Sequence, residues 1–179
     1  MPLSLGSPLG LEYEGIMEGP PYSCEVVYES DFSSGTDGFT KTFTDGILTG
    51  NATVGGEEDC LKFVFQDDPD GELTKAPGLN TTTDDNKDYA ISFKLYIGAS
   101  ALLNFVQTQH IHWFIGAVGE NNHNLPSGLA INVWHSFTFT GNLGDITENA
   151  MGLHVAFQAG LTKTNFIALK VVGVNVCRD

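Results

Sequence analysis

The stretch that decides the fold is Tyr89-Ala90-Ile91-Ser92-Phe93-Lys94-Leu95-Tyr96-Ile97. Its odd-numbered residues are all large and apolar, whereas its even-numbered residues are small or carry a polar group. Because successive side chains of a β-strand point to opposite faces, this alternation predicts a strand with one buried face. The odd positions should face the core, and the even positions should face away from it.

Similar runs recur at short intervals on both sides of this strand, with turn-forming residues between them. We predict further strands at residues 25–32, 46–53, 60–66, 72–76, 110–118, 132–140, 151–158 and 166–176, and a strand or a short helical turn at 101–107. The 12 Phe, 21 Gly and 7 Pro suit strands that are joined by many turns. No stretch keeps a helical period over three turns. The sequence therefore predicts an all-β fold, an antiparallel β-sandwich in residues 24–179.

Residues 1–23 have a different composition, with frequent Gly and Pro and no sustained period. Their apolar side chains are more numerous than a solvated tail needs: Leu3, Leu5, Leu9, Leu11, Tyr13, Ile16 and Met17. We predict an extended N-terminal arm that orders on a partner or on a symmetry mate, as an assembly arm.

The charge balance is acidic, with 22 Asp and Glu against 8 Lys and Arg and a net charge of -14. Such a surface repels phosphate backbones and anionic lipids, so we expect neither a nucleic-acid nor a membrane partner. The first basic residue is Lys41, so the N-terminus lacks the charged region of a signal peptide, and we expect no secretion. Cys24, Cys60 and Cys177 are too few for a disulfide scaffold.

Four features, in their order along the chain, resemble the jelly-roll carbohydrate-binding modules found beside xylanases and related glycosidases. They are Phe39 after Asp37-Gly38 in the first turn, the strand 89–97, Trp134 before a Ser/Thr-Phe repeat, and the closing run 166–176. The resemblance covers about residues 25–177 and implies a jelly roll. In such a fold the first and last strands can pair, which would bring Cys24 near Cys177, either bonded or as two buried thiols. The acidic pair that holds calcium in the closing strand of those modules is absent from residues 168–172.

Free-standing modules of this kind are familiar among bacteriophage structural proteins, which this acidic, arm-bearing chain resembles. The resemblance implies a virion structural protein, a capsid decoration or fibre component, that is located in the virion and assembled in the host cytoplasm. Its partners would be the major capsid protein or other virion proteins, sister subunits in a homo-oligomer (a trimer), and a host-surface glycan. The alternative is a free-standing carbohydrate-binding module that recognises a polysaccharide.

A candidate glycan site follows if the even positions of strands 89–97, 110–118 and 151–158 share one face. That face would collect Lys94, Tyr96, His110, His112, Phe114, His154 and Gln158. Aromatic plates among hydrogen-bonding groups are what sugar recognition needs, because a pyranose stacks its C–H face and pairs its hydroxyls. The alternative is that these side chains pack against a second layer or a neighbouring subunit.

Metal binding and catalysis are the other kinds of chemistry to weigh against sugar binding. His110 and His112 could supply two metal ligands with His154 or His123 as a third, although hydrogen-bonded histidines are commoner. The acidic run 67–72 offers oxygens that calcium prefers, but it lacks the spacing of a helix–loop–helix calcium loop, and a solvated loop is the alternative. No carboxylate pair lies in an apolar strand, and no nucleophile motif is present. We therefore expect no enzyme activity, no metal and no cofactor.

Overall fold

The computed structural model describes residues 23–42, 46–64, 70–98, 111–117, 121–126, 128–156 and 166–178. Every regular element in these ranges is a β-strand. The strands are β1 (Ser23–Ser30), β2 (Thr40–Lys41), β3 (Ile47–Val54), β4 (Glu57–Val64), β5 (Asp70–Lys75), β6 (Asp88–Gly98), β7 (Ile111–Ile115), β8 (His123–Asn124), β9 (Trp134–Asn142), β10 (Met151–Ala156) and β11 (Phe166–Arg178). Within the described ranges, no helix capable of crossing a membrane is found.

The strands form two antiparallel sheets. The six-stranded sheet has the order β3-β4-β11-β6-β9, and its sixth strand, β1, pairs with the second half of β11. The five-stranded sheet has the order β2-β5-β10-β7-β8. Neighbours in space are mostly distant in sequence, as in a jelly roll, and the predicted all-β antiparallel sandwich is confirmed.

The core lies between the two sheets and contains the odd-numbered face of β6, from Tyr89 to Ile97, as predicted. Its best-defined contact joins the sheets directly, because Phe93 of β6 stacks on Trp113 of β7 with ring centroids 4.4 Å apart. A fully buried apolar side chain of this kind contributes roughly 1.5–3 kcal/mol. The core therefore fixes which side of each strand remains outside the sandwich.

Three sequence-based expectations about local structure either differ from the structure or fall on residues that it does not describe. No strand is predicted between residues 118 and 132, but His123 and Asn124 form β8 on the edge of the five-stranded sheet. A strand of two residues is too short to show an alternation, so the sequence carries no signal for it. The predicted element at 101–107 and the arm residues Leu3, Leu5, Leu9, Leu11, Tyr13, Ile16 and Met17 lie outside the described residues.

A disulfide joins the first and last strands. Cys24 of β1 and Cys177 of β11 are register partners, and their sulfur atoms are bonded. Of the two states that the sequence left open for this pair, the structure has the bonded one.

An ion cluster lies beside the disulfide. The guanidinium of Arg178 donates two hydrogen bonds of 2.7 Å to the fully buried carboxylate of Asp84 and one of 3.0 Å to Glu25. Arg178 thereby holds the pKa of Asp84 below its usual range. This cluster fastens the long connection between β5 and β6 to the end of β11.

Candidate functional site

A row of polar side chains crosses the outer face of the five-stranded sheet. On β7, Ile111, Trp113 and Ile115 lie in the core, so His112 points outward. His154 of β10 is the register partner of His112, and Glu72 of β5 is the register partner of His154. Asn124 of β8 completes the row on the other side of His112. We call Glu72, His154, His112 and Asn124 the histidine row; it crosses four strands and spans roughly 14 Å.

The two histidines at the centre of the row are in contact. Their ring centroids are 4.6 Å apart and the ring planes are tilted by 34°. The Nε2 atom of His112 and the Nδ1 atom of His154 are buried, although both side chains are partly exposed. Each imidazole is therefore held in place while part of it remains open to solvent.

A second row lies beside the first on the same face and contains Thr40, Thr74, Gly152 and Phe114. A Cβ atom on Gly152 would clash with the backbone carbonyl of Leu73 and would also lie 3.1 Å from the ring of Phe114, so this position has no room for a side chain. Phe114 is 0% exposed even though it points away from the core. It therefore cannot offer its ring as a stacking plate for a sugar, contrary to the role considered for it from the sequence.

The structure divides the predicted glycan face between the two sheets. His112, Phe114 and His154 come together on the five-stranded sheet, whereas Lys94 and Tyr96 lie on β6 in the six-stranded sheet. The two groups face opposite sides of the sandwich. The expectation of one shared face is wrong because alternation assigns a side chain to one side of its strand and not to a sheet. His110 and Gln158 lie outside the described residues.

Tyr96 packs in a small second core on the outer face of the six-stranded sheet. Its ring contacts Trp134 and Phe166, with centroids 5.3 Å and 5.9 Å away. Val54, at the end of β3, covers the same cluster and accepts a hydrogen bond of 3.3 Å from the indole N–H of Trp134. Tyr96 is only 8% exposed. Its role is packing, which was the alternative considered for it.

His123 does not join the other histidines. Its register partner Trp113 lies in the core, and its ring stacks on Phe139 at 4.6 Å. The Tyr89 hydroxyl is 2.6 Å from Nε2 of His123. Burial lowers the pKa of His123 and raises that of Tyr89 to about 12, so it favours the uncharged form of both groups. Across the described ranges, no group of three or more His, Cys, Asp or Glu is arranged to hold a metal ion.

Two members of the histidine row were not predicted. Glu72 lies in a strand that was expected from the sequence, whereas Asn124 lies in β8, which was not predicted. The neighbouring residues in the sequence do not indicate that either residue belongs to the row, since the row depends on the strand order β5-β10-β7-β8. Only the pairing of strands that are far apart in sequence brings these residues beside His154 and His112.

Comparison with solved structures shows the same fold. The chain matches the family 22 carbohydrate-binding and catalytic modules of Clostridium thermocellum xylanase 10B, complexed with xylohexaose, with a TM-score of 0.50 and 10% identity over 86% of this chain and 28% of that one. It matches the C-terminal family 22 module of the same enzyme with a TM-score of 0.53 and 12% identity over 84% of this chain and 93% of that one. It also matches a carbohydrate esterase of the Shiga toxin-encoding bacteriophage phi24B, with a TM-score of 0.51 and 12% identity over 87% of this chain and all (100%) of that one.

These similarities establish the jelly-roll fold. The chain spans 28% of the first of these proteins and nearly all, 93%, of the isolated module. The sequence matches no protein-family model and no curated protein. Several of the similar structures are carbohydrate-binding modules, and what this chain shares with them is the fold.

Proposed function

We propose that this protein is a non-catalytic carbohydrate-binding module that binds a neutral polysaccharide along the histidine row. The observation that carries the proposal is the register of Glu72, His154, His112 and Asn124 across four strands of one outer face. The same architecture in carbohydrate-binding modules supports it, since an extended sugar chain lying across the strands would meet each of these side chains in turn.

The chemistry of the row suits sugar hydroxyls. Each hydroxyl both donates and accepts a hydrogen bond, and a neutral imidazole and a side-chain amide do the same, whereas the carboxylate of Glu72 accepts only. The contact between His112 and His154 restricts both rings before a ligand arrives. Side chains that are already ordered lose less conformational freedom on binding, which favours affinity.

The row contains a single carboxylate, that of Glu72. Hydrolysis of a glycosidic bond generally needs a pair of carboxyl groups on the two sides of the bond. The row thus has groups that can hold a sugar chain and lacks the second carboxyl that would cleave it. We accordingly propose binding without turnover.

The test is calorimetric titration of the full chain with xylohexaose and a panel of other neutral oligosaccharides. His112→Ala and Glu72→Gln should each weaken binding of the preferred oligosaccharide about tenfold, which corresponds to about 1.4 kcal/mol. His135→Ala is the matched control, because His135 lies on β9 in the other sheet and bonds the Ala130 carbonyl. Failure of the wild-type protein to bind any neutral oligosaccharide, or equal binding by all three variants, would overturn the proposal.

The virion role expected from the sequence stays a prediction. The arm that would attach the protein to a capsid lies outside the described residues. A capsid decoration or fibre with this fold could bind a glycan through the same histidine row. The Cys24–Cys177 bond would form once the particle leaves the reducing cytosol. Deletion of residues 2–22 should abolish attachment to the particle and leave the sandwich folded; normal attachment of the truncated protein would remove this role.

A further inference from the structure

Strand β9 is a long edge of the six-stranded sheet that is paired on one side only. Its residues, Trp134–Asn142, pair with β6 in a register without any shift, and no other segment in the described part of the chain forms a backbone hydrogen bond with it. The side chains of Ser136, Thr138 and Thr140 on its outer face are exposed. The backbone N–H and C=O groups on its free side are therefore available to another strand.

The other edge strands of the two sheets carry features that oppose pairing with a second chain. Strands β2 and β8 have only two residues each. Strand β1 contains Glu25 and Glu29 and a register shift between Val26 and Tyr28, and the register of β3 shifts twice. Short strands, charges and bulges are the usual means by which edge strands avoid association. Strand β9 has none of these features and contains no Asp, Glu, Lys, Arg or Pro, although the chain has a net charge of -14.

The sequence of β9 is complementary to itself when two copies run antiparallel. The segment Ser136-Phe137-Thr138-Phe139-Thr140 has nearly the same order of side chains in both directions from Thr138. With Thr138 opposite Thr138 of a second copy, each Phe137 lies opposite a Phe139 and each Ser136 lies opposite a Thr140. Aromatic pairs and pairs of hydroxyl side chains are both favourable across two strands. This register therefore matches side chains of the same chemistry at every position of the segment.

The inward-facing side chains of β9 also have apolar surface that the chain leaves partly uncovered. The rings of Phe137 and Phe139 pack against Phe93, with centroids 5.3 Å and 6.0 Å away, yet both side chains remain partly exposed at this edge of the sandwich. Val133, immediately before β9, is 48% exposed. A second copy placed along β9 would remove part of this surface from water, which is the main driving force of most protein association.

We propose that β9 pairs with β9 of a second copy of this chain, so that two six-stranded sheets join into one sheet of twelve strands. The two-fold axis passes between the two Thr138 residues, perpendicular to the sheet. Because this symmetry closes at two copies, the oligomer is a dimer and not the trimer that the resemblance implies. The axis also leaves the two histidine rows on the same side of the dimer, where both would meet one polysaccharide. That consequence rests on the proposed function, whereas the pairing of β9 does not.

Sedimentation velocity of the full chain over a range of concentrations tests the pairing without any sugar. We expect the wild-type protein to reach a mass of 38.4 kDa, twice the 19.2 kDa of one chain. Thr138→Lys should weaken dimerisation roughly a hundredfold, because two like charges would lie opposite each other at the axis. The side chain of Thr138 is exposed, so the variant should fold, which circular dichroism checks.

Two further variants separate this contact from a general effect of charge. Thr138→Asp should also be monomeric alone, but an equimolar mixture of Thr138→Asp and Thr138→Lys should recover the dimer, since opposite charges then meet at the axis. Thr49→Lys is the matched control, because Thr49 is an exposed residue of β3 at the other end of the same sheet, and the dimer should persist. A monomeric wild-type protein, undiminished dimerisation of Thr138→Lys, a mixture that stays monomeric, or equal dissociation of Thr49→Lys would overturn the proposal.

Discussion

The two outer faces of this sandwich arise from the same alternating pattern and yet differ in character. On the five-stranded sheet, outward positions form a polar row that includes the partly exposed His112 and His154, although Phe114 beside this row is fully buried. On the six-stranded sheet, the outward position Tyr96 is buried in a second small core beneath the end of β3. An outward-pointing residue is thus exposed only where no other segment folds over it, which strand alternation by itself does not report.

The largest expected effect comes from removing the disulfide that joins β1 to β11 in the six-stranded sheet. Replacing both bonded cysteines, Cys24→Ser and Cys177→Ser, should lower the free energy of unfolding by about 4 kcal/mol, because the bond closes a loop of sequence separation 153 in the unfolded chain. Urea denaturation with and without dithiothreitol measures it. Reductant should lower the stability of the wild-type protein to that of the variant, and a wild-type midpoint that reductant does not move would contradict the prediction.

A pair of substitutions sharpens the contrast between the faces. Tyr96→Ala should lower the free energy of unfolding by about 3 kcal/mol, since it empties the second core, and should leave neutral-sugar binding intact. His112→Ala should change stability by less than about 1 kcal/mol and should impair that binding. Thermal unfolding and sugar titration of both variants provide the comparison. Equal changes in the free energy of unfolding and in sugar affinity for the two variants would contradict this difference between the faces.

A smaller effect is expected at the edge where the two sheets meet. Burial lowers the pKa of His123, so the folded protein binds a proton there less readily than the unfolded chain does. Stability should therefore be constant above the unfolded value of about 6.5 and should fall as the pH drops towards the folded pKa, by at most about 1.4 kcal/mol per pH unit. His123→Gln should reduce this slope in urea denaturation curves measured between about pH 7 and pH 5, roughly the range in which histidine titrates. An unaltered slope would show that other groups cause it.

Several elements could be predicted from the sequence because their signal is local. The strand around Phe93 alternates over nine residues, and its core face is the predicted one. The closing strand is harder, because Val171 has a φ of 52° and the pairing of β11 with β6 shifts there. Odd positions such as Leu169 face the core before this bulge, and even positions such as Val172 face it afterwards. No periodic pattern in the sequence predicts this switch from odd to even core-facing positions.

The sequence by itself determined the all-β class, the inward face of β6 and the acidic surface, since each depends on side-chain chemistry and on the two-residue period of a strand. The tertiary structure alone decided that Lys94 and His112 lie on opposite faces, that Glu72 and Asn124 complete the histidine row, and that Tyr96 is covered. The physical reason is that a strand's neighbours are chosen by pairing between segments far apart in the chain. That pairing is a property of the whole core and not of any one segment.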